Sequence, residues 1–227
     1  GVNMLLTLTP SLSEYVIARG ANGAHVRLLL MPVDTELFRP SHNLAEIRQK
    51  WNLSEKDQVI VYIGTLFEFS GLDVLISQFP DLLRSIPEAK LLIVGDGPQR
   101  PKLEGIIAGL ALEKHVTITG FQPYPTMPQY INLAALCINP FLLTDATRDI
   151  FPGKIVQYLA CGKAVVATPL PGMKAVIPGE QQGVVYTDDT HDMGEKIVSL
   201  LKSGEYRERL GQQGLTYIRQ KHSYDII

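Results

Sequence analysis

FPGKIVQYLACGKAVVATPLPGM, residues 151–173, decides how the chain folds. Pro152, Gly153 and Lys154 open an amphipathic apolar stretch that stops at Gly162. A β-branched run, residues 164–168, follows, and then a second Pro/Gly corner. The order predicted is helix, tight turn, strand, and the largely apolar run reads as a strand covered on both faces. Pro152 suits a first helical turn, and Gly153 leaves the free N–H groups of the helix start unshielded. Such an end carries roughly half a positive charge, and Lys154 adds a whole one, so the corner suits a phosphate or diphosphate. The plainer reading is a helix start with Pro/Gly punctuation and a solvated lysine.

Working outward, similar runs occur at residues 59–63 (VIVYI), 90–94 (KLLIV), 116–119 (VTIT), 136–139 (LCIN) and 183–187 (GVVYT). Between them Leu72, Leu75, Ile76, Phe79, Leu82, Leu83 and Ile86 fall at helical spacing, with Pro80 expected to kink or interrupt that helix. Leu103, Ile106, Ile107 and Leu110 repeat the pattern. Alternation of this kind predicts an α/β protein with a doubly wound parallel sheet. Ligands of such sheets sit beyond the carboxyl ends of the strands. Three loops there bear glycine: Gly64, Gly95 to Gly97, and Gly120. Residues 1–40 read either as one more βαβ unit or as a connector from something upstream; residues 41–227 form the main domain.

A chain of 227 residues, 45% apolar and 19% charged, is that of a globular protein with a sizeable core. The net charge of −2 argues against nucleic acid or a broad anionic membrane surface as partner. Cys137 and Cys161 read as buried apolar residues in a reducing compartment. With no run near the length of a membrane span and no leader before the first strand, a soluble, cytoplasmic protein is expected. Asp188, Asp189, His191 and Asp192 open a helix and read as N-capping groups rather than metal ligands. Glu68 reads as a solvated loop carboxylate, Tyr158 as core, and Trp51 as a packing anchor.

Several segments together resemble a known family. Asp149, seven residues, Gln157 and then YLACGKAVVAT is similar to the acid-x7-Glu and AxGxPVV pattern of the retaining GT-B glycosyltransferases of family 4, the glycosyl transferases group 1. VYIGTLFEFSGLDVLI, KLLIVGDGPQRPKLE, VTITGFQPYPTMPQYINLAALCINPF and LLMPVDTELFRP resemble further motifs of that family in the same order. The resemblance implies the carboxyl-terminal, Rossmann-like, sugar-nucleotide domain of a two-domain enzyme whose amino-terminal acceptor domain is absent. It implies a nucleoside-diphosphate sugar as donor, no metal and no cofactor, and work in polysaccharide or glycolipid synthesis. Peripheral membrane association would belong to the full-length enzyme only.

Carried over residue by residue, Gly64 and Thr65 lie in the loop facing the donor phosphates, and Phe121 and Gln122 lie where the nucleobase packs. Asp149 matches the acid that contacts donor-sugar hydroxyls, Phe151, Pro152, Gly153 and Lys154 line the diphosphate, and Gln157 matches the residue that holds the ribose diol. Thr65 and Ser70 stand where the family places an arginine and a lysine, so either Lys154 or Arg148 supplies the charge or the activity is weak or lost. The isolated domain is expected to bind donor without turning it over. Two other readings remain: a non-catalytic nucleotide-sugar-binding or scaffold subunit, which Thr65 and Ser70 favour, and a sugar-nucleotide epimerase of the same architecture.

Overall fold

A computed structural model describes residues 3–188 and 192–224. The chain opens with a βαβ unit, β1 (Leu5–Thr7), α1 (Pro10–Ala18) and β2 (Val26–Leu28), whose two strands pair in parallel as a separate sheet. Met4, Leu6 and Leu28 of this small sheet are exposed.

The main domain follows: α2 (Ala45–Lys50), β3 (Gln58–Ile63), α3 (Leu72–Ser85), β4 (Ala89–Val94), α4 (Arg100–Gly109), β5 (Val116–Ile118), α5 (Met127–Leu133) and β6 (Leu136–Asn139). It continues with α6 (Lys154–Ala160), β7 (Val165–Ala167), α7 (Pro171–Val176), β8 (Val184–Tyr186), α8 (Met193–Lys202) and α9 (Gly204–Lys221). The strands form one parallel sheet in the order β5-β4-β3-β6-β7-β8. Strand order reverses between β3 and β6, which opens a crevice beyond their carboxyl ends. The expected doubly wound α/β sheet is present. Its strands are buried along nearly their whole length, so VIVYI and LCIN need no polar face.

Pro80 does not interrupt α3, which runs through it. Leu72, Leu75, Ile76, Phe79 and Leu82 of that helix are buried. At about 1.5–3 kcal/mol per buried side chain, they outweigh the roughly 3 kcal/mol that an internal proline costs. Trp51 is a partly buried anchor whose indole N–H donates to Tyr130 Oη at 3.3 Å. Cys137 and Cys161 are buried free thiols. Among the described residues no helix is long and apolar enough to cross a membrane.

The segment between β2 and α2 crosses back over the carboxyl ends of the main sheet. Val33 N–H donates to His222 O at 2.8 Å, and Phe38 is fully buried. Thr9, also fully buried, donates its hydroxyl to Asp149 O at 2.9 Å. The amino-terminal unit is thereby fastened to the loop between β6 and α6.

Candidate functional site

The carboxyl end of β3 is held by two tyrosines. Tyr158 is in the core as expected, but its hydroxyl also accepts the Ile63 N–H at 2.7 Å. Tyr62 Oη donates to Thr65 O at 3.2 Å. The glycines of the next loop face this one. A Cβ on Gly95 would lie 2.0 Å from Gly64 O, and one on Gly97 would lie 2.6 Å from Leu66 N. Gly95 to Gly97 therefore lets two loops close on each other. Gly64 differs: its missing Cβ points at Lys154 Nζ, 3.0 Å away, and Tyr62 Oη, 3.2 Å away.

Lys154 is not a solvated lysine. Its Nζ lies 3.9 Å from the centroid of the Tyr62 ring and 4.3 Å from that of Phe141. The ammonium is buried and has no hydrogen-bond partner. Burial among these rings holds its pKa well below the usual lysine range. Lys154 Nζ thus lies between the Gly64 loop and the start of α6 without a hydrogen-bonded anion. Gly153 sits at the helix start, and a Cβ there would meet Met31 at 3.5 Å.

The other expected residues are placed unevenly. Phe151 and Pro152 are buried. The Phe151 ring stacks on His222, centroids 6.3 Å apart and planes 8° apart, because an apolar ring gains more from that cover than from an open crevice. Asp149 is half-buried and fixed through its backbone by Thr9, and a Cβ on Gly172 would come within 2.5 Å of its carbonyl. Arg148 is exposed, 3.9 Å from the Asp145 carboxylate. Ser70 is buried and brings no charge to the corner.

On the β5 side, Phe121 is 71% exposed, a bare ring at the edge of the crevice. The Gln122 side chain is committed within the protein: its carbonyl oxygen accepts from Lys50 Nζ at 3.0 Å and Tyr130 Oη at 2.8 Å, and its amide donates to Thr119 O. Gln157 donates to Tyr124 Oη at 3.2 Å, which joins α6 to the loop after β5. Tyr62, Phe141, Tyr124, Thr9, Met31 and His222 carry no local signal that would have singled them out. They meet the corner only through the strand order and the crossing segment.

Among the described residues no group of three or more His, Cys, Asp or Glu side chains is placed to hold a metal ion. Of the capping cluster, Asp189 and His191 lie outside the described residues, and Asp188 N–H donates to the Asp192 carboxylate at 2.9 Å.

His222 is the buried pin behind the corner. Its Nδ1 bonds Met31 O at 2.8 Å, which makes it the donor there, and its Nε2 is buried without a partner. Burial lowers its pKa, and the Met31 bond opposes this. A histidine depressed in the folded state binds fewer protons than in the unfolded chain, so it lowers stability as pH falls below about 6.5. Urea midpoints between pH 7 and pH 5 should therefore drop, with a contribution of up to about 1.4 kcal/mol per pH unit that His222→Gln removes. An unchanged slope in the variant refutes this.

Comparison with known proteins follows the same lines. The family model described as Glycosyl transferases group 1 matches residues 44–216. Alpha-D-kanosaminyltransferase of Streptomyces kanamyceticus is 28% identical over 191 residues, which cover 84% of this chain and 47% of that protein. The chain thus spans about half the length of that relative. Anabaena HepE in complex with UDP and glucose superposes with a TM-score of 0.82 at 18% identity, over 98% of this chain and 60% of that one. The C-terminal domain of a glycosyl transferase group 1 family protein from Francisella tularensis superposes with a TM-score of 0.71 at 18% identity, over 85% of this chain and 99% of that one.

Proposed function

The chain belongs to the glycosyl transferases group 1, and from that premise we propose that it is the donor-binding part of a retaining transferase. The donor is a nucleoside-diphosphate sugar. The observation that carries this reading is Lys154: a buried ammonium without a hydrogen-bond partner, set against a loop glycine, Gly64, whose open side faces it at 3.0 Å. A diphosphate entering between Gly64 and α6 would supply the missing anion, with Arg148 at the rim. Gln157 and Tyr124 would meet the ribose, and the exposed Phe121 ring would meet the base. Asp149, held in place by Thr9, would orient the donor sugar.

In the transfer step the bond between the anomeric carbon and the diphosphate breaks, and a bond to an acceptor oxygen forms on the same face. The acceptor's proton passes to the departing phosphate, so no strong protein base is needed. Lys154 stabilises the charge that develops on that phosphate. This reading uses no metal or resident cofactor. The acceptor and a closed, dry cleft would come from an amino-terminal domain, so the isolated chain binds donor without transferring it. The full-length enzyme would act in the cytoplasm, on a polysaccharide or glycolipid precursor.

Calorimetry with UDP, GDP and ADP tests the reading. Binding of at least one is expected, and Gln157→Ala and Arg148→Ala should each weaken it by about 1 kcal/mol, roughly fivefold. The second reading, a binding subunit without activity, draws on Thr65 and the buried Ser70, which leave the Gly64 loop without a cation of its own. Transfer by a full-length enzyme would dismiss it; absence of nucleotide binding would dismiss the first.

A further inference from the structure

A second concentration of positive charge lies at the amino end of the main sheet, away from Gly64. A cavity of about 410 Å³ there is lined by Arg48 from α2, Lys56 from the loop before β3, Lys163 from the turn between α6 and β7, and Arg207 from α9. Two carboxylates, Glu55 and Asp57, share the lining. Neither is placed on Lys163 or Arg207. Glu55 reaches toward Arg48, 3.6 Å from its Nε, and its side chain is 88% exposed. Asp57 accepts the Ser54 N–H at 2.7 Å.

Helix carboxyl ends attract cations, which accounts for part of this cluster. Arg207 Nη1 donates to Leu200 O and Leu201 O at the end of α8, and Arg48 Nη1 donates to Ser54 O after α2. Lys163 has no such explanation. It follows α6, yet among the described residues its ammonium makes no hydrogen bond and no ion pair. Burial lowers its pKa; Cys137 and Cys161 oppose this, and the smaller repulsion from Arg207 and Arg48 adds to it. Four cations thus face one cavity, three of them (Arg48, Lys163 and Arg207) from separate elements, and the side chain with the poorest surroundings, Lys163, has no counter-charge. Like charges are gathered in this way at a cost, which an anion between them removes.

We propose that this cavity binds a small phosphate-bearing dianion, held by Lys163, Arg207 and Arg48. The site is independent of the donor reading: it takes no residue from the Gly64 corner and lies at the opposite end of α6.

Inorganic phosphate is the probe, titrated against the intact chain at constant ionic strength with the thermal midpoint as readout. Because Lys154 offers phosphate a second place, the titration is made in the Lys154→Met background as well as in the unaltered chain. A saturable rise in midpoint is expected in both, and adding Lys163→Gln should weaken the response at least tenfold. Lys163→Gln should also raise the midpoint in phosphate-free buffer, because it removes a repelling charge. The proposal is overturned if phosphate has no saturable effect, if Lys154→Met alone abolishes it, or if Lys163→Gln leaves it unchanged. A fall in the phosphate-free midpoint of Lys163→Gln also overturns it, since the lysine would then be a structural prop. Sedimentation with phosphatidylcholine vesicles, with and without phosphatidic acid, separates the sources. Lys163-dependent pelleting assigns the phosphate to a lipid headgroup, and phosphate binding without pelleting assigns it to a free solute.

Discussion

Replacing Lys154 with methionine raises the melting temperature by roughly 2–4 °C and weakens nucleoside-diphosphate binding ~30-fold or more. The two effects have one cause. The ammonium lies against the Tyr62 and Phe141 rings with no hydrogen-bond partner. Cation–π contact returns about 2 kcal/mol per desolvated ring, while taking an ammonium out of water costs several kcal/mol. Desolvation is the larger cost, and burial accordingly moves the pKa down. Methionine fills the same volume without the charge, so about 1 kcal/mol of stability is recovered. The diphosphate meanwhile loses a charge-assisted contact worth about 2 kcal/mol or more. Chemical denaturation and calorimetry on the same variant read both quantities. A variant that is less stable, or that binds UDP, GDP or ADP as well as the unaltered chain does, would remove Lys154 from the site. The sign with pH also follows: the unfolded chain holds this proton up to about pH 10.4 and the folded one releases it earlier. Between those values stability rises with pH, whereas diphosphate affinity falls.

The second large effect belongs to Gly71, at the start of α3. Its φ is +67°, and a Cβ there would lie 2.0 Å from Pro140 O. Left-handed backbone costs an alanine about 1 kcal/mol, and a clash with main chain cannot be relieved by turning a side chain. Gly71→Ala should cost about 3 kcal/mol in all, a drop of roughly 6–12 °C. It should weaken nucleotide binding too, because Pro140 leads into Phe141 and Leu142 N–H donates to Phe69 O at 2.9 Å. Gly105→Ala is the control: nothing lies within 4 Å of that Cβ in α4, and the change should leave stability equal or slightly higher. Equal melting points for the two variants would refute the close approach at Gly71.

The sheet was readable from the chain because its strands are apolar and β-branched throughout, a pattern that local sequence expresses fully. VIVYI and LCIN became β3 and β6 with bounds off by at most one residue. Pro80 misled because the cost of a proline is local while the burial that overrides it is not. The corner was half readable. Pro152, Gly153 and Lys154 mark a helix start in any context, but the same letters fit a lysine in water and one under Gly64. Only the β3–β6 adjacency brings Tyr62 and Phe141 around it. The side-chain partners of Phe151 and Gln122 were not readable from the sequence. His222 and Thr9 pull one toward the core or fix its neighbour, and Lys50 and Tyr130 hold the other. These partners are 70 or more residues distant in sequence except for Tyr130.

The stretch that crosses from β2 to α2 has a practical consequence. A fragment starting at residue 44, where the family pattern begins, would cut through that seam. It would leave the socket of Phe38 empty and uncover Phe151 and His222 to water. Gly153 would also lose its Met31 cover. Any shortened version meant to keep the corner intact has to begin upstream of Leu29, because those residues form its outer wall.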